Sequence, residues 1–385
     1  MYSLFSTSKI KWALLGVALV VFASMSGCSS KKRRVPADLP QANNLISLEK
    51  IWSTDVGNSN DFSFKPVLVG DKVFTSSQNG KISAVDYLTG KLIWSATSAK
   101  GASTGPGTDG RLLAIGSLKG DIFAYDAQTG KALWDTTVGT QVLTEPLVAA
   151  GLVVIRTIDN RFIALDASSG KRVWVTTKNP SILSLRTPYS MLPINNEVLF
   201  TGFSNGQFGL LALPSGATIW ESLLAPPKGT SEIERLSDIV ARPSLYSSRM
   251  CLVSYQGKIG CGDIKNAKVS WVKDFSSYSG TTQSQDAVFA VNDRSFVAGF
   301  DAQTGDELWR NEKLLWRDVG EPLAVGKIVL AGDGQGYLHV FSQVNGDLIS
   351  RERVDSSKIS AAPIAVAGTI IVQTRGGTLA AYKIK

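Results

Sequence analysis

The 385-residue chain holds one histidine and three cysteines. A single imidazole, His339, cannot build a histidine-based metal site, and it leaves a nucleophile–histidine dyad one base to draw on. His339 falls in an apparent strand, Gly336 to Phe341, where a packed or rim histidine is the expected role. Long apolar runs are scarce too. Trp12 to Phe22 is uncharged and apolar but too short for a comfortable membrane span. No long amphipathic helical period appears, which disfavours a helical bundle. Nor does charge of one sign dominate, with 40 Lys and Arg against 32 Asp and Glu.

The N-terminus reads as an export signal. Lys9 and Lys11 precede the apolar stretch, which ends in Met25-Ser26-Gly27-Cys28. That ending resembles the lipobox of bacterial lipoproteins, in which the cysteine becomes the acylated first residue. Residues 1–27 are therefore expected to be cleaved and Cys28 to carry the anchor, since several acyl chains on one residue hold a membrane stably. Ser29 follows where an Asp would imply inner-membrane retention, so the sorting resemblance implies the outer membrane. Residues 28–45, with Lys31-Lys32-Arg33-Arg34, Pro36 and Pro40, read as a lipidated flexible tether. The formal +8 loses two charges with the signal and four with the basic run, leaving about +2. So weak a charge carries no nucleic-acid footprint.

Residues 46–385 are built from a repeat. Ala84-Val85-Asp86-Tyr87-Leu88-Thr89-Gly90 precedes Trp94 by four residues, and the pattern A-x-D-x-x-[ST]-G-x-x-x-W returns at Ala124 to Trp134 and Ala164 to Trp174. Degenerate copies end at Trp220, Trp271 and Trp309, and a seventh has Ser350 in the tryptophan's place. Trp52 has no motif before it, while Leu379 to Tyr382 look like a motif's front half with the back half missing. Joined, these halves make an eighth unit. The expected fold is all-β: an eight-bladed β-propeller closed by pairing of its N- and C-terminal strands, with no free edge inside the ring. Asn79-Gly80 and similar pairs supply the tight hairpins within each unit.

The repeat is similar to the tryptophan-docking motif of pyrroloquinoline quinone enzymes, which also bind calcium and carry adjacent cysteines over the cofactor. Cys251 and Cys261 are not adjacent. Asp86, Asp126, Asp166 and Asp301 recur at one motif position and so read as turn-formers, not an acid–base pair. The expectation is no cofactor and no catalysis, with a quinoprotein dehydrogenase as the alternative. Cys251 and Cys261 flank the Gln256-Gly257 hairpin. A three-residue loop would set them opposite each other for a disulfide, whereas a two-residue loop would leave two buried thiols on opposite faces.

The repeat length breaks in two adjacent places. Successive tryptophan intervals of 40 and 40 residues are followed by 46 and 51. The extra residues, Asn179 to Arg186 and Pro226 to Asp238, occupy equivalent linkers and so should share one rim. Leu183 and Leu185 then make an apolar patch beside Arg186 and carboxylates, a composition suited to a protein interface. Inward packing of both leucines is the competing outcome.

With these insertions the chain resembles the BamB family, lipoprotein subunits of the outer-membrane β-barrel assembly machinery, over essentially its whole mature length. Ser181 to Arg186, Gly229 to Asp238, Gly332-Asp333 to His339 and Val354-Asp355-Ser356-Ser357 carry the likeness most sharply. The resemblance implies that Leu183, Leu185, Arg186 and Asp238 contact the periplasmic POTRA domains of the barrel-inserting subunit BamA, with strand addition as an accessory mode. Unfolded outer-membrane clients are a further implied partner, and a general peptide-binding propeller the remaining alternative. One departure is Val240, which stands where the family often has a second acidic residue.

Overall fold

The computed structural model describes residues 34–178 and 183–385, so the expected signal peptide and Cys28 lie outside the described residues. Among the described residues there are eight four-stranded antiparallel sheets and no helix. Blades 1 to 7 run from Val67 to Thr97, Gly107 to Thr137, Leu147 to Thr177, Met191 to Leu223, Ser244 to Asp274, Thr281 to Asn311 and Leu323 to Arg353. Blade 8 joins Ile364–Val366, Thr369–Gln373 and Thr378–Ile384 to the N-terminal strand Leu48–Asp55. The closing pair registers Leu48 on Ile384 and Asp55 on Thr378, with an irregularity between Lys50 and Trp52. The ring closes as expected.

Burial follows position in the blade. Second and third strands such as Lys72–Ser76 and Lys81–Asp86 are buried along nearly their whole length, because each sheet is sandwiched between two others. Fourth strands such as Ala132–Thr137 alternate exposed and half-buried, as an outer edge strand should. The core is therefore a set of apolar layers between sheets. One such layer brings Phe74, Ile82 and Trp94 of blade 1 against Leu113, Ile115 and Tyr125 of blade 2.

The repeat motif is the joint between layers. Asp86 Oδ1 accepts the N–H groups of Leu88 (3.1 Å) and Thr89 (2.7 Å) and the Thr89 hydroxyl. These bonds, led by the hydroxyl, hold its carboxyl below the ordinary aspartate range. The turn then places Gly90 at φ +70°, where its bare Cα meets the ring of Trp52 from the preceding blade. Trp52 Nε1 donates to Tyr87 O at 3.0 Å. Trp94, Trp134, Trp174, Trp271 and Trp309 make the same bond to Ala127, Ala167, Leu213, Ala302 and Gln343 of the following blade. Each of these six tryptophans thus locks its own blade to the next.

Two seams lack the lock. Ser350 on blade 7 faces blade 8, where the two chain ends stand in place of the glycine turn, so a tryptophan there has nothing to dock on. The segment expected to be tether as far as residue 45 covers this place. Asn43 N donates to Leu348 O and Leu45 N to Ile349 O, both near 3.0 Å. Arg351 bonds Pro40 O, and Arg317 donates to Ala37 O. The tether expectation is corrected here, because Pro36 onward belongs to the same compact unit as the ring. The second seam lies between blades 4 and 5. Ala267, at φ +54°, replaces the glycine, and Trp220 instead meets Phe208 of its own blade edge-on at 5.4 Å.

Cys251 and Cys261 face each other across the second and third strands of blade 5 and form a disulfide. Ser254 N bonds Lys258 O, closing the three-residue loop Tyr255-Gln256-Gly257. Of the two arrangements open from sequence, the structure has the bonded one.

Candidate docking site on the loop-bearing face

The two enlarged linkers both join a fourth strand to the next blade's first strand, so antiparallel order brings them out at one face. They also touch. Asp238, from the second linker, accepts the Leu185 N–H at 2.7 Å and the Tyr189 hydroxyl at 2.8 Å on Oδ2, both from the first. Its Oδ1 accepts the Asn205 N–H of the blade 4 hairpin at 3.3 Å. Leu183 is 37% exposed, Leu185 is half-buried and Arg186 is exposed. The leucines are therefore not sealed in the interior.

Asp238 is placed differently from the expectation of a surface contact. It is fully buried, and its carboxylate serves the protein's own backbone and Tyr189. A buried carboxylate must collect donors to offset desolvation, and the first linker supplies them. The direct-contact assignment to Asp238 is corrected to an internal one. Val240 is buried as well, and its carbonyl accepts the Ser190 N–H.

Under this loop lies a residue that the repeat pattern could have disclosed. Arg156 ends a second strand at the place held by Ser76, Gly116, Gly202 and Gly332 in other blades. Its guanidinium donates to Thr201 Oγ1 (2.9 Å) and Gly202 O (2.5 Å) of blade 4 and stacks 3.9 Å from the Tyr189 ring centre. Burial pushes its pKa down to about 10 and, with Asp238 alongside, raises that of Tyr189. Arg156, Tyr189 and Asp238 thus make one buried polar stack that fixes the loop from beneath. Arg186, by contrast, donates only to the Gln141 side chain at 2.9 Å, and among the described residues it has no carboxylate partner.

The second linker adds a feature not expected from sequence. Ser231 to Arg235 form a tight turn in which Glu234 accepts from Thr230 N, Ser231 N and the Thr230 hydroxyl. These bonds, the backbone ones leading, hold Glu234 below the ordinary range. Ile233, at the tip, is 67% exposed. The Ser-x-x-Glu spacing was the available signal.

Beside the loops opens the central channel, about 440 Å³ in volume. Aligned by strand register, blades 1, 3, 5 and 7 bring Lys65, Glu145, Arg242 and Glu321 to equivalent positions. Blades 2, 4, 6 and 8 bring Gly105, Ser190, Gly280 and Ala362. Charge alternates around the ring, and the small residues leave room for long neighbours: a side chain on Gly105 would meet Glu145 and the Lys65 backbone. Lys65 pairs with Glu321 at 2.8 Å, tying blades 1 and 7 across the composite blade 8.

A second buried ionic cluster, in blade 7, joins Arg317, Asp333 and His339. Burial, aided by Arg317 and Arg351, holds His339 below its ordinary value despite Asp333. Between the two values the unfolded chain binds a proton that the folded chain does not, so stability rises with pH there. Falling pH below about 6.5 should therefore destabilise the protein. In His339→Gln, urea midpoints between about pH 7.5 and 5.5 should fall less than in the parent. An equal fall in both proteins would contradict this account.

The comparisons agree on one family. A family model described as outer membrane protein assembly factor BamB matches residues 78–311 and 293–385. The chain belongs to the BamB family. The BamB of Pseudomonas aeruginosa is 41% identical over 384 residues, covering 98% of this chain and 100% of that one. That of Burkholderia pseudomallei is 37% identical over 369 residues, covering 95% and 96%. The crystal structure of BamB from Moraxella catarrhalis superposes with a TM-score of 0.80 at 24% identity, over 88% of this chain and 100% of that one. The quinohemoprotein alcohol dehydrogenase of Comamonas testosteroni shares the fold at a TM-score of 0.69 and 15% identity, over 89% and 78%.

A quinone cofactor of the dehydrogenase kind does not fit the residues of this BamB-family chain. Cys251 and Cys261 are ten apart and bonded within the core of blade 5. No group of three His, Cys, Asp or Glu among the described residues could hold a metal ion.

Proposed function

We propose that the chain is a non-catalytic scaffold in outer-membrane protein assembly, anchored through Cys28 at the periplasmic face of the outer membrane. Its loop-bearing face docks on the periplasmic POTRA domains of the barrel-inserting subunit BamA. The observation that carries this reading is the exposed Leu183 beside half-buried Leu185 on a loop whose backbone is pinned by Asp238. A pinned loop loses little conformational entropy on binding, so its leucines act as preorganised anchors. Arg186 supplies a charge without an internal carboxylate partner, suited to a carboxylate on the other protein. The names of the relatives, all outer membrane protein assembly factors, support the cellular role.

Leu183→Ala with Leu185→Ala should lower co-purification of the barrel subunit by about tenfold or more, since each apolar anchor contributes on the order of 1–2 kcal/mol. The urea unfolding midpoint should fall only slightly, because Leu183 is exposed and Leu185 only half-buried. Unchanged capture would remove these residues from the interface. A general peptide-binding propeller would instead hold unfolded clients through the channel and be indifferent to both leucines.

A further inference from the structure

The seam between blades 4 and 5 is the one place where a tryptophan is present but its lock is not made. Six other seams carry an indole N–H donating to the next blade's turn. Each of those indoles sits on a glycine whose added Cβ would lie within 2.3–2.6 Å of the ring. At Ala267 that Cβ is real, so Trp220 cannot take the same seat. It turns to Phe208, and its Nε1 has no hydrogen-bond acceptor among the described residues. Ala267 also holds φ +54°, a region that alanine enters only at a cost.

The opposite end of the same seam carries a contact of its own. The backbone carbonyl of Asp238 accepts the N–H of Tyr255 from the blade 5 hairpin. Gln141, Ser276, Arg317 and Lys358 do this for the hairpins of blades 3, 6, 7 and 8, so the backbone of residue 238 belongs to blade 5. Its carboxylate reaches back to blade 4, to Leu185, Tyr189 and Asn205. Backbone on one blade and side chain on the other make residue 238 a bridge over the unlocked seam.

We propose that Asp238 is the positioning residue of the docking loop and, through the same carboxylate, the lock of the blade 4–blade 5 seam. Recognition of the partner depends on how this carboxylate sets the loop, and stability on how it holds the seam. The half concerning binding rests on the docking function proposed above; the half concerning the seam stands on the fold alone.

The test uses the mature chain, hydrogen exchange over residues 183–190, urea unfolding, and capture of the periplasmic region of the barrel subunit. Asp238→Ala should speed exchange in 183–190 and weaken capture, each by about tenfold, and lower the unfolding midpoint. Asp238→Asn keeps an oxygen for Leu185 and Tyr189 and should recover most of the capture. Ala267→Gly alone should raise the midpoint by letting Trp220 dock and relieving the backbone. In Asp238→Ala it should restore the midpoint while capture stays low. Unchanged exchange over 183–190 in Asp238→Ala would overturn the positioning role, and no gain from Ala267→Gly would overturn the seam. Return of capture together with stability would show that Asp238 acts only through global folding. If Leu183→Ala with Leu185→Ala leaves capture intact, the docking function fails, and exchange and unfolding still decide the role of Asp238.

Discussion

Asp333→Ala is expected to cost about 3–5 kcal/mol of folding stability, the usual result of leaving one member of a buried ion pair alone. Five contacts converge on this carboxylate. Arg317 reaches it through Nε at 2.9 Å and Nη2 at 2.7 Å, and His339 Nε2 lies 3.0 Å away. The N–H groups of Gln335 and Tyr337 donate to the other oxygen, both at 2.9 Å. Burial alone would raise the Asp333 pKa, but the bonds from His339, the Tyr337 amide and Arg317 outweigh it and hold the group below the ordinary range. With the carboxylate gone, the Arg317 side chain, 2% exposed, keeps only neutral acceptors in Gln335 and Ala37. Urea unfolding followed by tryptophan fluorescence should show the loss. A double change, Asp333→Leu with Arg317→Met, should be markedly milder because no charge is stranded. A loss under about 1 kcal/mol for Asp333→Ala would mean that water reaches Arg317 and that the pair is not truly buried.

The second large effect concerns the motif glycines, and the protein supplies its own control. Gly130 and Gly151 have nearly the same backbone angle, φ +73° and +76°. An added Cβ at Gly151 would meet nothing within 4 Å, whereas at Gly130 it would stand 2.5 Å from the Trp94 ring. Gly151→Ala should therefore pay only the left-handed backbone cost, about 1–2 kcal/mol. Gly130→Ala pays that cost and must also displace Trp94, breaking its bond to Ala127 O at 3.0 Å. Its total should be about 3 kcal/mol or more. Comparable losses at the two sites would mean that the indole yields freely and that tryptophan docking adds little to the ring.

Much of this architecture was legible because the physics is periodic. A glycine turn four residues before a tryptophan marks five of the eight blades, and Trp52 with Leu379 to Tyr382 announced the composite blade. The missing tryptophan at Ser350 looked like degeneracy, yet it follows from the absence of a turn across the seam. The surface position of the leucine-bearing loop could be inferred from insertion length, since extra residues have nowhere to go but outward. The burial of Asp238 could not. A carboxylate in a polar, charge-alternating segment reads as surface unless the donors from a different linker are known, and those lie 33 to 53 residues away. Arg156 and the alternating channel charges escaped for another reason. Both show only when the blades are aligned strand by strand, and tryptophan spacing alone does not supply that register.

The composite blade has a consequence for how the molecule is made. Leu48, in the first strand of the ring, pairs with Ile384 in the last. Seven blades can assemble in order behind the growing polypeptide, but the N-terminal strand must wait unpaired until the last strand, Thr378–Ile384, is available. Chains cut short before Thr378 would present two bare strand edges at once, a ready substrate for proteases and for joining end to end.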